Sequence, residues 1–297
     1  MIDPLEGHAW SEAEVSLDSF EDSLFTVVAR DLKTGLYEQL GTGFVIKAEN
    51  DAALAISAAH VFSDLWRLQD WHKVYRTTMP GMKARRIDID LSTRQLWLAT
   101  TKGERVVGSV VKGFAIDEAG DIAILEIRPQ RDDEDAYPLG WLRLDARPPA
   151  IGELVAVASY ASMKVHSSIG APDEFRMERR ATVRVGRVTG IPAPTERRMC
   201  RGPCIETSIP TPHGMSGGPV FQFDRAGMTH VIGVVSMDWR HESNAEDTRV
   251  AGNSTVALLP ITALQANADG TRDIALRFDV TAVAGTFSRF QVFVLSE

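Results

Sequence analysis

A serine stands between glycines in Gly214-Met215-Ser216-Gly217-Gly218, and the chain then runs into the apolar stretch Pro219-Val220-Phe221. Far upstream, His60 closes the small and apolar run at 53–59, and Asp121 opens the run Ile122-Ala123-Ile124-Leu125-Glu126-Ile127. An alcohol is too weak an acid to attack a carbonyl unaided. It needs a base to take its proton, and the base needs an anion to fix its tautomer and stabilise its charged form. The glycines suit the same chemistry, because they let backbone N–H groups converge on one point and hold a developing oxyanion. Those donors would come from Gly214 and Ser216. Singly, each signal has a plainer reading: a glycine-rich turn, a packed histidine, an aspartate in a turn. Asp117 and Glu118 compete with Asp121, but Asp121 directly abuts the apolar run, so its carboxylate can be partly buried against an imidazole. Small residues at 57–59 leave room around that imidazole. The order His, Asp, Ser belongs to one version of this constellation.

Elements of matching length must carry these groups. Short apolar runs at 23–29, 43–47, 52–57, 96–99, 106–111 and 122–127 read as strands, several of them rich in Val and Ile. A second set follows at 154–159, 181–188, 205–208, 219–223, 231–236 and 255–259, with a last candidate at 290–295. Apolar residues at 61, 62, 65, 66, 68, 71, 74 and 75 recur with a period near 3.6, which predicts a helix over 61–75. The charged stretch Arg128–Pro138 separates the two sets and reads as a surface linker. Many short strands in two halves predict an all-β protein, a sandwich or a pair of barrels. We divide the chain into an N-terminal extension (1–20), a first half carrying His60 and Asp121 (21–130), a linker (131–140) and a second half carrying Ser216 with a C-terminal tail (141–297).

Composition narrows the function classes. With 297 residues and 44% hydrophobic content, the chain can build a sizeable core. A net charge of −8 argues against nucleic acid as the main partner, because phosphate binding wants a basic face. No stretch approaches the roughly 20 apolar residues that span a membrane. Residues 1–10 lack the basic start and apolar core of a secretory signal, so a cytoplasmic protein is expected. The two cysteines, Cys200 and Cys204, are too few for a disulfide-built domain. They could pair or bind metal, but no further ligands are spaced like a zinc site, and plain thiols are the expectation; no metal and no cofactor are expected.

In their local motifs these residues resemble the chymotrypsin/trypsin-like serine proteases, with the bacterial trypsin-like, glutamyl-endopeptidase-like and HtrA-like members most similar. Gly41-Thr42-Gly43-Phe44-Val45-Ile46 is similar to the strand before the catalytic histidine, and Ile56-Ser57-Ala58-Ala59-His60-Val61 to the histidine motif. Asp121-Ile122-Ala123-Ile124-Leu125 resembles the aspartate motif, Gly214–Val220 the serine motif, and Val231–Ser236 the strand after it. The resemblance covers roughly residues 20–265. It implies two six-stranded antiparallel β-barrels of the chymotrypsin-like kind, with the active site in the cleft between them. It further implies a serine endopeptidase with His60, Asp121 and Ser216 as catalytic residues, a polypeptide substrate, Ser236 beside the catalytic groups, and residues 236–238 as an edge for extended peptide.

The departures from the family pattern carry information too. Members matured by N-terminal clipping keep an Asp before the serine, whereas this chain has Met215, so no such activation is expected. The segment 61–90 is long enough to cover the cleft. The first pocket would be framed by 209–213, 236–238 and 253–255, which makes Pro210, His213, Ser236, Met237, Asp238 and Asn253 the candidate substrate-binding residues. Pro210 stands where basic-selective members keep an Asp, which removes the usual argument for Arg or Lys preference. Asp238 could supply a negative charge, and His213 could either serve an acidic side chain or pack under the anion hole. Two rival readings stand. One is an α/β-hydrolase esterase, whose G-x-S-x-G demands strand, serine, then helix, with His230 and His241 as downstream bases. The other is a catalytically silent fold that grips peptides. A regulatory partner fits a protease inside a cell; substrate identity and oligomeric state stay open.

Overall fold

Strands whose two faces are both buried read as continuous apolar runs, and the runs of this chain behave so in the computed structural model. The structure describes residues 5, 7–14, 20, 22–49, 52–62, 76–78, 85–87, 94–102, 105–129, 139–160, 164–167, 175–178, 181–195, 200–223, 229–236, 254–266, 272–278, 282–285 and 292–296. In chain order its strands are β1 (Trp10–Glu14), β2 (Leu24–Asp31), β3 (Tyr37–Glu49), β4 (Ala52–Ala58), β5 (Arg76–Thr78), β6 (Arg85–Ile87), β7 (Arg94–Lys102), β8 (Arg105–Asp117) and β9 (Ile122–Pro129). The second half supplies β10 (Leu154–Ser159), β11 (Lys164–Ser167), β12 (Phe175–Glu178), β13 (Thr182–Gly190), β14 (Cys204–Thr207), β15 (Pro219–Phe223), β16 (Thr229–Ser236) and β17 (Ser254–Leu258). The tail adds β18 (Ile261–Ala266), β19 (Arg272–Arg277), β20 (Ala282–Gly285) and β21 (Val292–Ser296).

Two closed barrels result. Strands β8, β7, β2, β3, β4 and β9 pair in that order, and β9 pairs back to β8. Strands β13, β10, β15, β16, β17 and β14 do the same, and β14 closes on β13. Each is a six-stranded antiparallel ring, a closure that removes sheet edges. The all-β double barrel of the chymotrypsin-like kind is therefore the fold. A strand, β15, follows Ser216 where an α/β-hydrolase would place a helix, so the esterase reading fails on architecture. Of the helix expected over 61–75, only Val61 and Phe62 are described, in the short helical turn 59–62; the rest lies outside the described residues.

The side-chain period of two divides the core into three parts. On β9, Ala123, Leu125 and Ile127 point into the first barrel with Phe25, Val27, Val45 and Ala55. The alternate residues Ile122 and Ile124 join a different cluster, together with Leu24, Phe44 and Ile56 of the first barrel and Ala156, Tyr160, Phe221 and Val234 of the second. That cluster is the seam between barrels. Val155, Val157, Val220, Ile232, Val235 and Val256 fill the second barrel. Full burial of each such side chain contributes about 1.5–3 kcal/mol. The connection at 139–150 follows the seam. Leu142 N–H donates to the Val45 carbonyl of β3 at 2.9 Å, Asp145 N–H donates to the Val231 carbonyl at 3.0 Å, and Val231 N–H donates to the Arg143 carbonyl at 2.8 Å.

Both chain ends reach past their nearer barrel. Strand β1, in the segment set apart above as an extension, pairs antiparallel with β13 of the second barrel. Strand β20, from the tail, pairs antiparallel with β8 of the first.

Candidate active site

Strand pairing brings His60 and Asp121 together. Strands β4 and β9 are antiparallel with Ala58 opposite Ile122, so the residues just past one end of β4 lie beside the residue just before β9. The chain leaves β4 into a single helical turn that carries His60. Asp121 ends a tight turn in which Gly120 N–H donates to Asp117 Oδ1 at 2.8 Å. Its φ of 52° is in the left-handed region, which Asp tolerates better than most side chains. The carboxylate turns back onto the histidine segment. His60 Nδ1 lies 2.8 Å from Asp121 Oδ2 and 3.1 Å from Oδ1, His60 N–H donates to Oδ1 at 2.9 Å, and Ala59 N–H donates to the Asp121 carbonyl at 3.1 Å. Ser236, at the end of β16, also donates its hydroxyl to Oδ2. A carboxylate only accepts, so the proton of this contact sits on Nδ1, and the lone pair of the ring is on Nε2. The pair is mostly enclosed, with 14% of the His60 side chain and 11% of the Asp121 side chain exposed.

Ser216 hangs on β3, the strand before β4. Thr42 N–H of β3 donates to the Ser216 carbonyl at 2.8 Å. A Cβ built on Gly41 would stand 2.7 Å from that carbonyl and 2.7 Å from Val61 Cγ2, so the Ser216 backbone and the residue after His60 meet over one glycine. Gly217 takes φ of 82° and lies so close to β3 and β4 that a Cβ there would stand 2.2 Å from both Ser57 Oγ and the Thr42 carbonyl. Gly217 N–H donates to Val235 O at 2.9 Å, one residue before the serine that contacts Asp121. The hydroxyl of Ser216 makes no hydrogen bond among the described residues, and the residue is 3% exposed.

The loop before Ser216 is tied to β3 through the Gly214 carbonyl. Gly214 takes φ of 90°, and its carbonyl accepts the Thr42 hydroxyl at 2.7 Å, which directs the carbonyl toward β3. The same hydroxyl accepts Tyr160 N–H at 3.2 Å, and Gln39 donates to the Tyr160 carbonyl at 2.5 Å. The N–H groups of Gly214 and Ser216 have no acceptor among the described residues. Met215, between them, is fully buried in the second barrel. Thr42 and Gln39 were not singled out in the sequence as site residues. The Gly-Thr-Gly motif held the only signal, and it does not reveal that a threonine 172 residues away touches Gly214.

The remaining candidates divide. Pro210 is half-buried, and its carbonyl accepts Arg184 Nη1 at 2.6 Å. His213 is exposed and donates through Nε2 to the Gln39 carbonyl at 3.1 Å. Ser236 is buried against Asp121. Met237, Asp238 and Asn253 lie outside the described residues, as does His241. His230 is on β16, half-buried. Cys200 and Cys204 are free thiols, both buried. Cys200 Sγ lies 3.5 Å from the Gly120 carbonyl, behind the turn that carries Asp121. Its pKa is raised, by the hydrogen bond with Cys204 first and by burial next, so it is a neutral thiol. No group of metal-ligating side chains is found among the described residues.

Comparison with known proteins gives one family and a set of solved structures. A family model described as a trypsin-like peptidase domain matches residues 41–234. Among solved structures, the active form of the Rv3671c protease from M. tuberculosis is similar at 18% identity and TM-score 0.44, covering 86% of this chain and 82% of that one. A serine endoprotease from Yersinia pestis is similar at 13% identity and TM-score 0.44, with 83% of this chain and 63% of that chain covered. No curated protein matches the chain.

Proposed function

Because the chain belongs to the trypsin-like peptidase domain family, we propose that it is a serine endopeptidase with Ser216 as nucleophile, His60 as general base and Asp121 as the anion that orients the imidazole. The observation that carries this reading is the double grip of Asp121 on His60, through Nδ1 at 2.8 Å and through the backbone N–H at 2.9 Å. It sets both the tautomer and the pose of the ring, and leaves Nε2 to take a proton.

The reaction follows from that arrangement. His60 Nε2 takes the Ser216 hydroxyl proton as the oxygen attacks the peptide carbonyl. The oxyanion of the tetrahedral intermediate sits on the N–H groups of Gly214 and Ser216. His60 then gives its proton to the departing amine, leaving an acyl-enzyme. Water, activated by His60, releases the acid and restores the serine. Asp121 keeps its charge throughout and stabilises the imidazolium. Removing one oxyanion donor in such a site costs about 10²–10³ in kcat. Extended substrate backbone would pair beside Ser236 as an added strand; Met237 and Asp238, the other residues of that expected edge, lie outside the described residues.

The test is labelling by a fluorophosphonate, which reacts only with an activated serine. The wild-type protein is expected to label at Ser216. Ser216→Ala should lose the label and the hydrolysis of fluorescent casein with its melting temperature within about 2 °C, because one buried hydroxyl without a hydrogen-bond partner is removed. Labelling that persists in Ser216→Ala overturns the assignment. Casein binding by an unlabelled, inactive wild type would favour a peptide-gripping fold instead.

A further inference from the structure

The segment 209–214 leads to the proposed oxyanion hole and frames the proposed first pocket, yet its own backbone gives it few ties. Pro210 and Pro212 have no N–H to donate. Ile209 N–H is held at 3.2 Å by the Thr207 hydroxyl, and the next backbone tie is the turn from Met215 N–H to the Pro212 carbonyl. No sheet ladder fixes the path in between.

The N-terminal strand supplies what is missing. Arg184 on β13 faces Glu12 on β1 in direct register. Its Nε donates to Glu12 Oε2 at 2.5 Å, its guanidinium carbon lies 5.2 Å from the Trp10 ring centroid, and its Nη1 donates to the Pro210 carbonyl at 2.6 Å. Only 13% of the Arg184 side chain is exposed against 34% of Glu12, so the bond to Pro210 lies on the more enclosed side of the guanidinium. A second tie runs parallel: the Ser208 hydroxyl donates to the Ala9 carbonyl at 2.6 Å. Gly186, opposite Trp10, lets the segment lie this close, since a Cβ there would stand 2.6 Å from both Ser208 Oγ and Ile209 Cγ1.

We propose that Arg184, braced by Trp10 and Glu12 of the N-terminal strand, is a positioning residue that holds the Pro210 carbonyl and so sets the pocket wall and the approach to Gly214. The inference rests on the peptidase reading above for its effect on rate. Three partners at once require a planar fork that can stack on an indole and donate in two directions, which Lys does not offer. The N-terminal strand is thereby part of the support of the site, reached through the second barrel.

Three variants and two readouts test it: Arg184→Met, Arg184→Lys and Glu12→Gln, followed by hydrolysis of fluorescent casein and by amide hydrogen exchange. In Arg184→Met, casein kcat/KM should fall at least about tenfold, since small misplacements of positioning groups are costly. Exchange at Ile209 and Met215, the amides of this stretch that have acceptors, should quicken at least about tenfold, while β15 amides keep their wild-type rates, which separates a local release from general loosening. Arg184→Lys should recover part of both effects, and Glu12→Gln, which keeps the Pro210 bond but loosens the brace, should move both in the same direction by less. Wild-type exchange at Ile209 and Met215 in Arg184→Met, or equal quickening throughout the second barrel, overturns the proposal. Should Arg184→Met not fold, Glu12→Gln decides: quickening confined to Ile209 and Met215 supports the proposal, and wild-type exchange there or equal quickening throughout the second barrel overturns it. If the wild-type protein neither labels nor cleaves, the peptidase reading fails, and exchange alone still decides the positioning role.

Discussion

Asp121 is strained and saturated at the same time. It sits at φ of 52° and still accepts from the backbone and ring of His60 and from the Ser236 hydroxyl. That combination makes Asp121→Asn an informative change. Asn tolerates the left-handed conformation as well as Asp does, so the backbone should hold. Its amide can still accept from Ser236 or the His60 N–H, but it presents a donor that favours the wrong imidazole tautomer. We expect kcat to fall by about 10⁴ with little change in melting temperature, as loss of tautomer control does in a Ser-His-Asp site. Steady-state kinetics on fluorescent casein checks it, and retention of activity within tenfold would contradict the role given to Asp121. At this scale the sequence was informative where a residue sits at the end of an apolar run. The contact of Asp121 with His60 follows from which runs pair, and both runs were visible. Thr42, Gln39 and Arg184 were not visible as site residues, because their partners are 172, 121 and 26 residues away and no local pattern encodes such contacts.

The elements show why some strands could be read and others not. Strands β4, β9, β10 and β16 bury alternate residues in two different clusters, so both faces are apolar and the run is continuous. The three-residue β5 and β6 offer no period to read, and β1 carries Ser and Glu because it lies outside the closed ring. The loop between elements is where glycine is irreplaceable. At Gly217 a methyl group would meet Ser57 Oγ and the Thr42 carbonyl at 2.2 Å, and the φ of 82° penalises any L side chain besides. Ser57 cannot swing aside freely, since its hydroxyl donates to that same carbonyl at 2.7 Å. Overpacking and the left-handed penalty together predict that Gly217→Ala destabilises the protein by about 2–5 kcal/mol. Urea unfolding should show a lower midpoint with an unchanged slope, and a midpoint equal to that of the wild type would mean that this loop does not press on β3 and β4 as described.

The whole molecule couples its barrels in three ways, and the coupling has a measurable consequence. The seam cluster draws Leu24, Phe44 and Ile124 from one barrel and Tyr160, Phe221 and Val234 from the other, all buried. Polar ties cross beside it, from Thr42 to Gly214 and to Ser216, and from Gln39 to Tyr160. The chain ends then cross in opposite senses: β1 binds to the second barrel through β13, while β20 returns to the first through β8. Opening either barrel alone would therefore expose the seam and release an arm from the other. Chains of this length often unfold in steps, and the two halves split by a charged linker would suggest the same. The shared core argues the other way. Scanning calorimetry should give one transition with a calorimetric enthalpy close to the van't Hoff value, and circular dichroism and Trp fluorescence should report the same midpoint. Two resolved transitions would show that each barrel carries its own stability, and the seam would then be a contact surface between independent domains instead of a common core.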